Sequence, residues 1–285
     1  MFTQEQIDDL VQKTIEKGRT YLEKNELINA EALMKQARRV APENIQVLEI
    51  LGLILIKKNK HEEAIELYEK LLKFNENNYE ALNNLGLSYS ALGKYEEAKK
   101  ILHLGISLFP YKPSLWWNLA IQYKETKNLD IALDIYKQSI EKLDQCSELH
   151  YHYGVLLAEC GNYEKAIEEY NKSIDIDPTN ATAHWNKSLL MLLTGDYKNG
   201  FQEYEWRFKT FNNFMKTKMR FQGKPEWDGS PGSGTILFYN EQGVGDAMQF
   251  VRFMPKVKEL GFNTVLETVP YLIDLFSQCN GIDQM

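Results

Sequence analysis

A mainly α-helical fold, an α-α superhelical solenoid followed by an incomplete α/β (βαβα) segment, is predicted by three observations. Blocks of 34 residues repeat six times without insertion or deletion from Val11 to Phe214, and an unbroken period of this length is the signature of stacked helical hairpins. Small residues and turn-forming residues recur at fixed positions of each block. Past Gly234 the period gives way to short β-type runs separated by helical stretches.

Residues 1–10 form a polar, acidic lead-in. The repeats then occupy 11–44, 45–78, 79–112, 113–146, 147–180 and 181–214. In the block starting at Tyr79, Leu82, Leu85, Gly86 and Tyr89 fill positions four, seven, eight and eleven, one face of a first helix. Ala98, Leu102 and Gly105 fill positions twenty, twenty-four and twenty-seven, one face of a second helix. Gly18, Gly52, Gly86 and Gly154 at position eight, with Ala30, Ala64, Ala98, Ala132 and Ala166 at position twenty, allow the paired axes to approach closely. Asn25, Asn59, Gly93, Gly161 and Gly195 at position fifteen tolerate the left-handed conformation that ends a helix; Lys127 departs, with Asn128 beside it as a substitute. Pro42, Pro110 and Pro178 stop the second helices, because proline cannot continue the hydrogen-bond ladder. One such pair cannot bury its apolar face alone, so stacked pairs share a core and a concave surface lined by first helices. This arrangement of residues is identified as the tetratricopeptide (TPR) pattern.

The sixth block departs from the others, with Ser188, Gly200, Arg207 and Asn212 at consensus positions, as expected of a terminal repeat that meets something else. Residues 215–234, rich in Lys, Pro and Gly, read as a linker or strap. Thereafter Thr235 to Tyr239 reads as a strand, Asn240 to Gly245 as a loop and Asp246 to Met254 as a helix, continued over Pro255 to Leu260. Thr264 to Thr268 reads as a second strand and Tyr271 to Cys279 as a last helix. Residues 235–285 thus open a parallel α/β domain but are about 50 residues, against on the order of 100 for a doubly wound sheet. The segment is expected to belong to a truncated product, to be completed by a separate chain, or to survive by packing against the last repeats.

Composition bounds the function. A net charge of −7 without clustered Lys and Arg argues against nucleic acid. No secretory leader is visible, and the longest apolar run, Ile50 to Ile56, is far short of a membrane span. Cys146, Cys160 and Cys279 are too few and scattered for a disulfide framework, so a cytoplasmic location is expected. No metal site is expected: His150 and His184 stand at a packing position without the carboxylates or cysteines of a ligand cluster.

Two sites are candidates. Position six carries Asn84, Asn118, His152 and Asn186, a broken ladder of amides able to bond an extended backbone, and position five adds Trp117, Tyr151 and Trp185 as hot-spot side chains. The expected partner is a protein or peptide in the concave groove. The second site is Glu241, Gln242, Gly243, Val244, Gly245 and Asp246, between a strand and a helix, where α/β proteins gather ligands. Neither the dinucleotide fingerprint nor a Walker loop is completed here.

With Gly195-Asp196-Tyr197, Glu203-Tyr204-Glu205-Trp206-Arg207 and Pro225-Glu226-Trp227-Asp228-Gly229 before it, this segment resembles bacterial TPR glycosyltransferases. The repeats resemble those of O-linked N-acetylglucosamine transferases, and the strand-loop-helix unit is similar to that of heptosyltransferases. The resemblance implies a Rossmann-like start of a GT-B catalytic region. Asp246 would be the base that takes the acceptor proton, Glu241, Gln242, Gly243 and Gly245 the substrate loop, and a nucleotide sugar the donor of a complete enzyme. The donor-binding domain of that family is absent, so the chain is expected to need no cofactor of its own and to be inactive alone. The alternative is a non-catalytic TPR scaffold mediating protein–protein interaction.

Overall fold

The computed structural model describes residues 3–210, 220–221, 223–240 and 243–285. The protein is mainly helical and forms two compact units, Met1–Gly195 and Asp196–Met285.

The first unit is a run of helical hairpins: α1 (Gln4–Glu23), α2 (Leu27–Val40), α3 (Ile45–Lys57), α4 (His61–Phe74), α5 (Tyr79–Ala91), α6 (Tyr95–Leu108), α7 (Pro113–Glu125), α8 (Leu129–Lys142), α9 (Ser147–Glu159), α10 (Tyr163–Ile176) and α11 (Ala181–Thr194). Residues 4–10, read as a lead-in, belong to α1, which Thr3 and Gln6 start with a reciprocal capping box. The inner first helices α3, α5, α7 and α9 each contact their partner, the helix before them and the first helix of the next pair, as in α5 with α6, α4 and α7.

Local chemistry explains the regularity. Asn44, Asn78 and Asn180, at the last position of a block, accept the amide hydrogens of Val47, Ala81 and Ala183 and so cap the following helices. The left-handed residue between paired helices is Asn25, Asn59, Gly93, Gly161 or Gly195, as position fifteen predicts. In the fourth repeat it is Lys127 itself, at φ 63°, not Asn128. The hairpin geometry imposes the conformation whatever side chain stands there. The alanines at position twenty are all fully buried. The position-eight glycines make room mainly for the side chain at position twenty-four: a methyl at Gly18, Gly52, Gly86 or Gly154 would fall within 2.8 Å of Met34, Tyr68, Leu102 or Tyr170, respectively.

The second unit begins with α12 (Tyr197–Tyr204), capped by Asp196, and a 3₁₀ turn at Glu205–Lys209. The boundary therefore falls within the sixth block read at 181–214. Beyond it lie β1 (Gly234–Tyr239), α13 (Val244–Phe250), α14 (Met254–Glu259), β2 (Phe262–Glu267) and α15 (Ile273–Phe276). β1 and β2 pair in parallel, with Ile236 opposite Thr264 and Phe238 opposite Leu266. Val265 on β2 also forms a parallel bridge with Gln284. Leu266, Leu272 and Phe276 form a small core with Phe238, Val244, Ala247 and Val251 around them.

The helix after β1 starts at Val244, two residues before the position read from the sequence, and a 3₁₀ turn at Val251–Phe253 separates it from α14. The last helical stretch is one short turn, Ile273–Phe276, after a 3₁₀ turn. What the described residues contain is a two-stranded sheet with its crossover helices.

Candidate functional site

The first helices carry the candidate groove. At position four the side chain is buried, and in three successive repeats it donates to the carbonyl six residues earlier. Trp116 Nε1 bonds Pro110 O at 2.8 Å, His150 Nε2 bonds Asp144 O at 3.0 Å and His184 Nε2 bonds Pro178 O at 3.2 Å. An indole or imidazole here satisfies a turn carbonyl that a leucine cannot. The second nitrogen of His150 meets Glu169 Oε2 at 2.6 Å, and Lys172 Nζ donates to the other oxygen at 2.7 Å. Burial works against ionisation of Glu169, yet the hydrogen bonds from His150 and Lys172 hold its carboxyl below the ordinary range. Both histidines are buried and hydrogen-bonded to a turn carbonyl. Among the described residues no group of three His, Cys, Asp or Glu side chains is placed to hold a metal.

Positions five and six follow a second rule: position six of one repeat meets position five of the repeat before it. Asn118 Nδ2 donates to Asn83 Oδ1 at 2.9 Å, and Asn186 Nδ2 donates to the Tyr151 hydroxyl at 3.0 Å. The ring of His152 lies 5.1 Å from that of Trp117 and 4.9 Å from that of Tyr151. Burial lowers the pKa of His152, so the imidazole is neutral at pH 7. Asn84 donates instead to the Tyr68 hydroxyl at 3.1 Å. The amide donors of Asn84, Asn118 and Asn186 therefore join repeats to one another. Their Oδ1 atoms accept no hydrogen bond among the described residues.

Trp117, Tyr151 and Trp185 are each half-buried, unlike the buried side chains one position earlier. Between α7 and α9 lies a cavity of about 90 Å³, lined by Ile121, Val155, Leu156, Tyr136 and His152. Lys124 and Glu159 also line it and pair at 3.2 Å. Sequence periodicity placed the aromatics on this face but gave no sign of the cavity, which depends on residues from three helices.

The second candidate site is less built. Glu241 and Gln242 lie outside the described residues. Gly243 is the N-cap of α13 at φ −67°, a conformation open to any residue, and a methyl at Gly245 would meet open space. Asp246 is exposed on the first turn of α13; it does not cap the helix.

Stacked two-helix repeats of this length, joined by a left-handed turn residue and presenting half-buried aromatics on their first helices, define a helical-repeat protein. The repeats are tetratricopeptide repeats. Residues 52–93 and 154–195 match a family model described as TPR repeat, and residues 79–111 match one described as tetratricopeptide repeat. A search of curated proteins finds no significant match.

Solved structures share the fold. A thermophilic TPR protein from Thermus thermophilus has 19% identity and a TM-score of 0.56, over 64% of this chain and 99% of that one. A TPR protein from Parabacteroides merdae has 22% identity and a TM-score of 0.54, over 70% and 79%. PilF of Pseudomonas aeruginosa has 19% identity and a TM-score of 0.57, over 76% and 95%. Among the described residues, no helix is long and apolar enough to cross a membrane.

Proposed function

We propose that the chain is a TPR scaffold that binds a protein segment on the first-helix face of α5, α7, α9 and α11. The observation that carries this reading is the row of half-buried Trp117, Tyr151 and Trp185, the first two in ring contact with His152, which lines the cavity between α7 and α9. Aromatic side chains fixed by neighbours and left partly open supply most of the affinity of peptide interfaces. Main-chain donors of the bound segment find acceptors in the asparagine Oδ1 atoms.

The test is selection of displayed peptides on the full chain, followed by titration of the recovered peptides against Trp117→Ala and Tyr151→Ala. Weakening by about tenfold or more, with the thermal transition retained, is expected. Undiminished binding to both variants refutes the assignment of this face.

The sugar-transferase reading of residues 235–285 rests on the sequence resemblance and on the parallel β1–β2 pair with its crossover helices. The matched repeats all fall within residues 52–195, outside that segment. Asp246 as base, with the loop from Glu241 to Gly245 beside it, belongs to that reading. Its test is Asp246→Asn in an enzyme completed with a donor-binding domain: loss of transfer from a nucleotide sugar with folding retained sustains it, and unchanged transfer removes Asp246 from the mechanism.

A further inference from the structure

The binding reading fixes a face; the chemistry of that face fixes the kind of partner. Positions two, five, six, nine, twelve and thirteen of each first helix fall on one side by helical spacing, and the cavity is lined by positions six, nine, ten, twelve and thirteen. Over α5, α7, α9 and α11 these positions hold four carboxylates, Glu80, Glu125, Glu148 and Glu159, and one cation, Lys124. Glu159 is committed to Lys124. Glu80, Glu125 and Glu148 are exposed and take part in no ion pair among the described residues. The uncharged polar atoms point the same way. Asn84 and Asn186, both half-buried, each use one N–H between repeats and keep an uncommitted Oδ1 acceptor, while Asn118 is buried.

The cavity sets the remaining requirement. Three of its walls are Ile121, Val155 and Leu156, and His152 is neutral. An apolar cavity of roughly 150 Å³ accepts a benzene ring. A space of about 90 Å³ matches an aliphatic side chain.

Resting on the binding reading above, we infer that the partner segment is a cationic peptide: an aliphatic side chain enters the cavity between α7 and α9, and neighbouring Lys or Arg residues meet Glu125 and Glu148. A segment rich in carboxylates is repelled by the same rim. Rim charges act through encounter and are screened, so the affinity falls as salt is raised.

The test uses the full chain and three acetylated, amidated peptides of twelve residues. One carries a central Leu flanked by Arg, the second replaces each Arg by Asp, and the third replaces the Leu by Ala. The Leu/Arg peptide is expected to bind at least about tenfold more tightly than either of the others. Val155→Trp, which fills the cavity, is expected to abolish the advantage of Leu over Ala. The exposed double change Glu125→Lys with Glu148→Lys, which spares the core, is expected to abolish the advantage of Arg over Asp.

Equal or tighter binding of the Asp peptide overturns the charge assignment, and equal binding of the Leu and Ala peptides overturns the cavity assignment. In both cases the binding face stands. Failure of all three peptides, while displayed peptides of other composition are still recovered on this face, overturns the inference alone. Failure of both experiments overturns the inference together with the binding reading.

Discussion

Gly52→Ala isolates the packing rule of the hairpin. The added methyl would sit 2.4 Å from Tyr68 Cζ, 2.6 Å from Oη and 2.8 Å from Cε1. Ordinary contact begins near 3.4 Å, so the ring must retreat by about 1 Å. It has no room to do so, because Tyr68 is fully buried and its hydroxyl bonds both Glu49 O at 3.3 Å and Asn84 Nδ2 at 3.1 Å. Overpacking of this kind costs about 1–3 kcal/mol. Losing a hydrogen bond of the buried hydroxyl adds about 1 kcal/mol. Alanine returns about 1 kcal/mol of helix propensity, so the net loss is about 1–3 kcal/mol. Gly86→Ala is the comparison: its methyl meets the aliphatic Leu102 at 2.8 Å, with no hydroxyl network behind it. There the propensity gain offsets most of the cost. Urea unfolding followed by circular dichroism measures both, with the midpoint of Gly52→Ala expected well below that of Gly86→Ala. Equal midpoints, or a Gly52→Ala chain as stable as the parent, would refute the claim that Tyr68 fixes the spacing of α3 and α4.

The remaining expectations concern charge and backbone. Glu31 is nearly buried and receives hydrogen bonds from Lys35 at 2.6 Å and from Lys58, which hold its carboxyl at about 2 instead of 4.5. A carboxylate with a lowered pKa in the folded state stabilises above its unfolded value. That stability is lost as pH falls from about 4.5 towards 2, with a ceiling of about 3 kcal/mol that the exposure of Lys35 reduces. Glu31→Gln is expected to flatten the stability curve over that range, and an unchanged curve would exclude this ion cluster as its origin. Lys127→Gly relieves a side chain held at φ 63° and is expected to raise stability by about 0.5–1 kcal/mol. A melting temperature that fails to rise would mean that the left-handed turn carries no strain.

The hairpins were legible because their determinants lie a few residues apart. The buried alanines at position twenty, the prolines after second helices and five of the six left-handed turn residues all follow from local spacing. What joins repeats was not legible. The contact of position six with position five of the preceding block spans 35 residues, and it uses whatever pair stands there: Asn118 with Asn83, His152 with Trp117, Asn186 with Tyr151. Periodicity assigns these side chains to a face without saying whether their polar atoms look outward or to a neighbour. Thus the amide row read as a hook for a ligand is first a set of cross-links. The reading of Asn128 as a substitute for Lys127 erred similarly, by giving residue preference more weight than hairpin geometry. At the far site, the helix read from Asp246 starts at Val244, a shift of two residues within the ordinary uncertainty of helix ends that leaves Asp246 inside the first turn.

The contacts 35 residues apart have a thermodynamic corollary. Side chains already fastened to the adjoining repeat have little rotational freedom left to surrender when a ligand arrives, so the entropic penalty of ordering the receptor falls chiefly on the incoming segment. Cutting a single tether, as in Asn118→Ala, would then loosen two repeats at once and shift the heat and entropy of association more than their sum.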